Sequence, residues 1–274
     1  MYKLVAIDID GTLVKNDKTL SEETKKIIRQ ICAKGVKVVI TTGRSIDRIQ
    51  EFVKELGLEG EEYVIANNGC SIYSTTQEKP IYEKTVTGRD FKEVYRCFKK
   101  EGTTMEAHLG TEYLIEEDLK TVVPNDWRIT SPAARTVDFM KELGDDDKLV
   151  KFLLFSGKEM LDELYGEIQE VFGDRFSIVR SMDHMCEFMQ KGCHKGSGIT
   201  ELARILGIKQ EEIIAIGDEL NDMEMIEYAG MGIAMGNAKD ELKEIANYIT
   251  KTNEEDGVAY ALDKFILKGK NYSA

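Results

Sequence analysis

Five apolar runs punctuate the chain: Leu4–Ile7, Val36–Ile40, Tyr63–Ala66, Ile213–Ile216 and Gly232–Met235. They lack the alternation of a half-exposed strand, as expected for parallel strands covered on both faces. Between them apolar residues recur at helical spacing. Ile27, Ile28, Ile31 and Cys32 follow the capping candidate Ser21, and Ile46, Ile49, Phe52, Val53 and Leu56 run up to Gly57. Ile199, Leu202, Ala203 and Leu206 end at Gly207; Met223, Met225 and Ile226 mark another helix, as do Leu242, Ile245 and Ala246. Gly serves at helix ends because it accepts the left-handed conformation. Asn67-Asn68-Gly69 predicts a turn, Cys70–Tyr73 with Ile81-Tyr82 a short hairpin, Tyr248-Ile249 a last strand and Gly257–Phe265 a closing helix. Strand, helix, strand in repetition predicts an α/β fold built on a Rossmann-like parallel sheet.

From Lys84 to Met189 the texture changes. A helical stripe (Phe91, Val94, Tyr95, Phe98) precedes strand-like stretches at Thr104–His108, Tyr113–Ile115, Val150–Phe155 and Phe176–Val179, with a second helix through Met160, Leu161, Leu164, Ile168, Val171 and Phe172. This predicts an inserted α+β domain over 84–189, between core segments 1–83 and 190–274. The acidic run Asp145-Asp146-Asp147 lacks the spaced ligands of a calcium loop and reads as a solvated turn.

Charge narrows the partners. Over 274 residues, 50 Asp and Glu outweigh 37 Lys and Arg for a net charge of -13, which repels nucleic acid and anionic membrane but permits a local basic pocket for one small anion. Five scattered cysteines, odd in number and without metal-type spacing, suggest free thiols and a reducing compartment. No apolar run approaches the about 18 residues of a membrane span, and no signal peptide opens the chain, so a cytoplasmic location is expected. The oligomeric state has no sequence signal.

The chemistry collects where strands end. Asp8 and Asp10 emerge on one face at the end of the first run, beside Gly11. Two such carboxylates mark either an acidic turn or a site where a cation, or a division into one ionised and one protonated group, relieves their repulsion. Thr42 and Gly43 end the second run, and Asp218, Asn221 and Asp222 follow a later one. In an open parallel sheet these ends share one crevice. The carboxylates there make a hard oxygen site suited to Mg2+ and a substrate phosphate, with the Thr42 hydroxyl and nearby amides as phosphate donors. Lys195, at a helix start immediately before a Gly196-Ser197-Gly198 turn that precedes the helical stripe from Ile199, supplies the missing cation; neighbouring His194 is expected to have a structural or rim role.

Asp-x-Asp-Gly-Thr, a strand ending in Thr-Gly-Arg, Lys-Gly after an insertion and Gly-Asp-x-x-Asn-Asp after a late strand, in that order, resemble the four motifs of the haloacid dehalogenase superfamily. The insertion between the second and third motifs resembles its Cof-type (type IIB) sugar-phosphatase branch. The resemblance implies hydrolysis of small phosphorylated metabolites, sugar phosphates foremost, through an aspartyl-phosphate. Asp8 would be the nucleophile and Asp10 the general acid and base. Mg2+ would be held by Asp8, the backbone carbonyl of Asp10 and Asp218, while Thr42, Gly43, Lys195 and Asn221 hold the phosphate and Asp222 orients the metal's waters or Lys195. The insertion would be a lid that chooses the leaving group. Arg44 is a candidate substrate contact or a structural salt bridge, and Glu187 a candidate substrate contact or an outward strand residue, with Arg180-Ser181 and Cys186 to Phe188 nearby. A phosphomutase on the same scaffold is the alternative. A phospho-acceptor signalling module is disfavoured by Asp10, which would shorten the life of an acyl-phosphate.

Overall fold

The computed structural model describes residues 1–60, 62–125 and 131–269. The chain divides into two compact units, Met1–Tyr82 with His194–Ala274, and Glu83–Cys193. Against the expected limits of 84 and 189, the second unit spans Glu83–Cys193, and the last strand of its sheet, Met185–Gln190, ends one residue past 189.

The first unit begins with β1 (Leu4–Ile7), α1 (Glu22–Ala33), β2 (Lys37–Thr41), α2 (Gln50–Leu56), β3 (Tyr63–Ala66), β4 (Ser71–Ser74) and β5 (Tyr82–Glu83). Ser21 caps α1, its hydroxyl accepting from the Thr24 N–H at 3.1 Å. Gly57 closes α2 in the left-handed conformation.

The insertion follows with β6 (Val86–Thr87), α3 (Gly88–Phe98), β7 (Thr103–Leu109), β8 (Glu112–Ile115), α4 (Leu119–Val122), β9 (Ala134–Thr136), α5 (Phe139–Glu142), β10 (Lys148–Leu149), β11 (Lys151–Ser156), α6 (Lys158–Phe172), β12 (Phe176–Met182) and β13 (Met185–Gln190). Its sheet runs β12-β13-β11-β7-β8-β9. Phe91, Val94 and Phe98 of α3 and Leu161, Ile168 and Phe172 of α6 share a core with Phe152, Leu154 and Phe188 of the strands. Strand alternation sends their neighbours to the other face. His108 pairs across the sheet with Lys151, and Glu106 and Glu187 flank Leu153. The acidic run after α5 is a turn in which Asp145 pairs with Lys92 and Asp147 accepts from the Gly144 N–H.

The chain returns through α7 (Lys195–Leu206), β14 (Ile213–Gly217), α8 (Met223–Tyr228), β15 (Met231–Ala234), α9 (Asp240–Ile245), β16 (Tyr248–Ile249) and α10 (Gly257–Leu262). Among the described residues the core sheet runs β16-β15-β14-β1-β2-β3-β4-β5. It is parallel from β16 to β3, and β4 reverses direction. All four residues of β1 are buried, so both sheet faces need cover. Helices α1, α2 and α10 form one packed group and α7, α8 and α9 another. The central strand β1 lies between β14 and β2, with Ile7 in register with Ile216 and Ile40. That register brings the residues after all three strands to one level.

Candidate active site

Asp8, Thr42 and Asp218 follow the carboxyl ends of β1, β2 and β14. Lys195, the first residue of α7, is 1% exposed and reaches both Asp8 Oδ1 at 2.7 Å and Asp222 Oδ1 at 2.5 Å. The other Asp222 oxygen accepts the backbone N–H groups of Asp218 and Glu219, each at 3.0 Å. Asp218 Oδ1 accepts the Thr12 hydroxyl at 2.6 Å. A ligand oxygen from each of Asp8, Asp218 and Asp222 lies within 4.8 Å of the others.

The start of α7 is set by close packing. Gly69 has φ +90, and a Cβ there would stand 2.2 Å from the His194 carbonyl oxygen. Gly196 and Gly198 lie inside the first turn of α7, not in the turn before the helix that the sequence suggested. His194 is the N-cap, its Nδ1 accepting the Ser197 N–H at 3.2 Å.

Thr42 Oγ1 accepts the Arg44 N–H at 3.1 Å, which leaves the hydroxyl its own hydrogen to donate. Gly43 packs beside the Asn68 side chain, and Asn221 Nδ2 donates to Asn68 Oδ1 at 3.2 Å. Arg44 grips Asp10 with Nε on Oδ2 at 2.9 Å and Nη2 on Oδ1 at 2.6 Å, and Lys18 Nζ adds a bond to Oδ1 at 2.8 Å. The Asp10 carboxylate is not one of the three clustered groups.

A family model described as haloacid dehalogenase-like hydrolase matches residues 5–262. The chain belongs to the haloacid dehalogenase-like hydrolases. It is 32% identical over 266 residues to the 5-amino-6-(5-phospho-D-ribitylamino)uracil phosphatase YcsE of Bacillus subtilis (strain 168), covering 97% of this chain and 96% of that one. A haloacid dehalogenase-like hydrolase from Bacteroides thetaiotaomicron is similar in structure, with a TM-score of 0.86 at 29% identity over 97% of this chain and 100% of the other. The HAD subclass IIB sugar phosphatase BT4131 follows at TM-score 0.79 and 27% identity, covering 96% and 98% of the two chains. This hydrolase is a phosphatase of the type IIB, Cof-type branch.

Hydrolases of this family generally use a divalent metal, and the buried cluster of this phosphatase has the donor set for one. Three carboxyl groups gather around one ammonium in a buried site. Burial, with the charges of Asp222 and Asp218, pushes the Asp8 carboxyl upward against the pull of Lys195. Burial also raises Asp218 to about 7, against the Thr12 hydrogen bond. Asp10 goes the other way: burial would raise it, but the hydrogen bonds and charges of Arg44 and Lys18 outweigh burial and lower it. Burial and the neighbouring charges thus push the two carboxyls in opposite directions. Asp8 Oδ2 and Asp218 Oδ2 accept no hydrogen bond from the described residues, whereas both Asp222 oxygens are engaged. The first two fit a metal ligand; Asp222 fits a support for Lys195.

Glu187 belongs to the other unit. It is buried, paired with Lys151 at 2.7 Å, and faces away from the solvent exposure that an outward strand residue would have. Arg180 binds Asp162, while Cys186 and Phe188 lie in the core of the insertion. Sequence reasoning passed over Thr12, Lys18 and Asn68. Thr12 ends the Asp-x-Asp-Gly-Thr motif, and Asn68 holds φ +52 at a strand's carboxyl end, a conformation Asn tolerates better than most residues. Among the described residues, no helix is long and apolar enough to cross a membrane.

Proposed function

We propose that this phosphatase hydrolyses small phosphorylated metabolites, sugar phosphates foremost, with Mg2+ and through a phosphoryl group carried on Asp8. The observation that carries this reading is the buried Asp8–Lys195–Asp222 chain beside Asp218, three carboxyl groups around a single ammonium. Asp8 and Asp218, with the Asp10 backbone carbonyl, would hold the cation, which supplies charge neutralisation between nucleophile and phosphate. Lys195, Thr42, Gly43 and Asn221 bind the phosphate oxygens, and Asp222 aims Lys195. Asp8 attacks phosphorus as the bond to the alcohol breaks, and Asp10 gives the departing oxygen a proton. Asp10 then takes a proton from the water that attacks phosphorus, releasing inorganic phosphate and restoring Asp8.

The substrate class draws on relatives. One is named for a phosphorylated ribityl chain and another for sugar phosphates, both phosphorylated polyhydroxy compounds. Leaving-group choice is assigned to the insertion. Arg44 is taken up by Asp10 and Glu187 by Lys151, so neither is assigned to substrate.

The test is phosphate release from a panel of phosphorylated metabolites with and without Mg2+, together with Asp8→Asn. We expect Mg2+-dependent turnover strongest on sugar phosphates, and none in the variant. Turnover by Asp8→Asn near the wild-type rate would overturn the assignment.

A further inference from the structure

Asp10 is held more firmly than proton transfer alone requires. A carboxylate offers about four lone-pair positions. The Arg44 fork and the Lys18 ammonium occupy both positions of Oδ1 and one of Oδ2. One lone pair of Oδ2 is left to handle a proton. The guanidinium is itself steadied, lying 5.5 Å from the centroid of the Phe52 ring.

Lys18 adds an independent observation. Its backbone sits at φ +68, in a turn closed by its N–H on the Lys15 carbonyl at 2.9 Å. Glycine or asparagine is the ordinary occupant of that conformation, and a long side chain there is strained. The strained residue is also the one whose ammonium touches Asp10, and strain of this kind gathers at functional sites.

We propose that Arg44 and Lys18 form a cationic clamp that positions Asp10, saturating Oδ1 and presenting the remaining lone pair of Oδ2 to the water that hydrolyses the phosphorylated Asp8. In that step Asp10 Oδ2 takes a proton from water, the water oxygen bonds to phosphorus, and the phosphorus–oxygen bond to Asp8 breaks, returning its electron pair to the carboxylate. The clamp rests on the reading of Asp10 as general base. Both residues are positioning residues, since each acts through the Asp10 carboxylate.

The experiment follows p-nitrophenyl phosphate with Mg2+, because its leaving group departs without a proton and isolates the second half-reaction. Lys18→Gly, Arg44→Gln, Arg44→Lys and Asp10→Asn are compared by steady-state kinetics and by the burst of nitrophenol in the first turnover. Asp10→Asn is expected to lower kcat by about 100-fold or more, the scale of general base catalysis, with a burst and a smaller change in kcat/KM. Lys18→Gly and Arg44→Gln are expected to show the same split at roughly 10-fold, below the about 100-fold that a misplacement of about 1 Å can cost. Arg44→Lys recovers part of the loss, and Lys18→Gly melts no lower than the parent protein. On an Asp10→Asn background, the two clamp substitutions cost nothing further.

A burst in Asp10→Asn but none in Lys18→Gly and Arg44→Gln overturns the clamp and leaves Asp10 as base. No burst or kcat loss in Asp10→Asn overturns the base assignment, and the clamp with it. Lys18→Gly lies on an exposed turn, so the test stands even if Arg44→Gln fails to fold.

Discussion

Lys195 Nζ lies 2.7 Å from Asp8 Oδ1, joining residues 187 positions apart in the sequence. The lysine is the ammonium shared by Asp8 and Asp222, and burial leaves both carboxylates little water to fall back on. Removing it strands buried charge. Lys195→Met is expected to cost about 3–5 kcal/mol of stability without metal, the usual penalty for breaking a buried pair. Phosphate release should fall by about 100-fold or more, as on loss of a charge-stabilising donor. Denaturant melts and turnover check both, and Mg2+ should restore part of the stability but not the turnover.

Gly11 makes a sharper test of the cluster's geometry. Its φ is +81, and a Cβ would sit 2.2 Å from Asp218 Oδ2, an oxygen free to face a cation. Gly11→Ala should therefore displace the Asp218 carboxylate and weaken Mg2+ binding by about 10-fold or more, in the range seen when support for a metal ligand is lost. Titration of activity against Mg2+ concentration checks this. An unchanged midpoint would show that Asp218 is not a ligand.

The acidic cluster also predicts how pH acts on stability. Asp8 and Asp218 are both raised, chiefly by burial, so the folded protein binds protons that the unfolded chain has lost. Metal-free stability should therefore fall as pH rises from about 4, the ordinary Asp value, to the value of about 7 for Asp218. Mg2+ binds the ionised forms and offsets that loss. Its effect on melting temperature should be larger at about pH 8 than at about pH 5. Thermal melts with Mg2+ or a chelator at the two values decide it.

Within the insertion, Lys151 and Glu187 form a buried pair 36 positions apart. Burial would raise Glu187, but the charge and hydrogen bond of Lys151, with Ser181 and His108, outweigh it and lower the carboxyl. A lowered carboxyl contributes stability above its unfolded value near 4.3, and that contribution is lost as pH falls through the folded value. Lys151→Met alone should cost about 3–5 kcal/mol, while Lys151→Met with Glu187→Leu should be close to neutral. Chemical denaturation of the three proteins distinguishes them.

Much of this protein is decided by local pattern. Apolar runs long enough to be buried on both faces had to become central parallel strands, and strand ends carrying Asp8, Thr42 and Asp218 had to meet at one edge. Caps such as Ser21 and Gly57 are likewise short-range signals. The tertiary structure decided which charges pair. Arg44 meets Asp10 across 34 positions, Thr12 meets Asp218 across 206 and Asn68 meets Asn221 across 153. A sequence lists these groups without saying which are neighbours, because long polar side chains carry no periodicity that encodes a partner. Weak strands such as β9 and β10 went unread for a related reason: few buried apolar residues hold them, and their pairing depends on strands formed elsewhere. The roles of Lys18 in a strained turn and of Gly196 and Gly198 inside a helix also follow from what packs against them, which only the folded chain supplies.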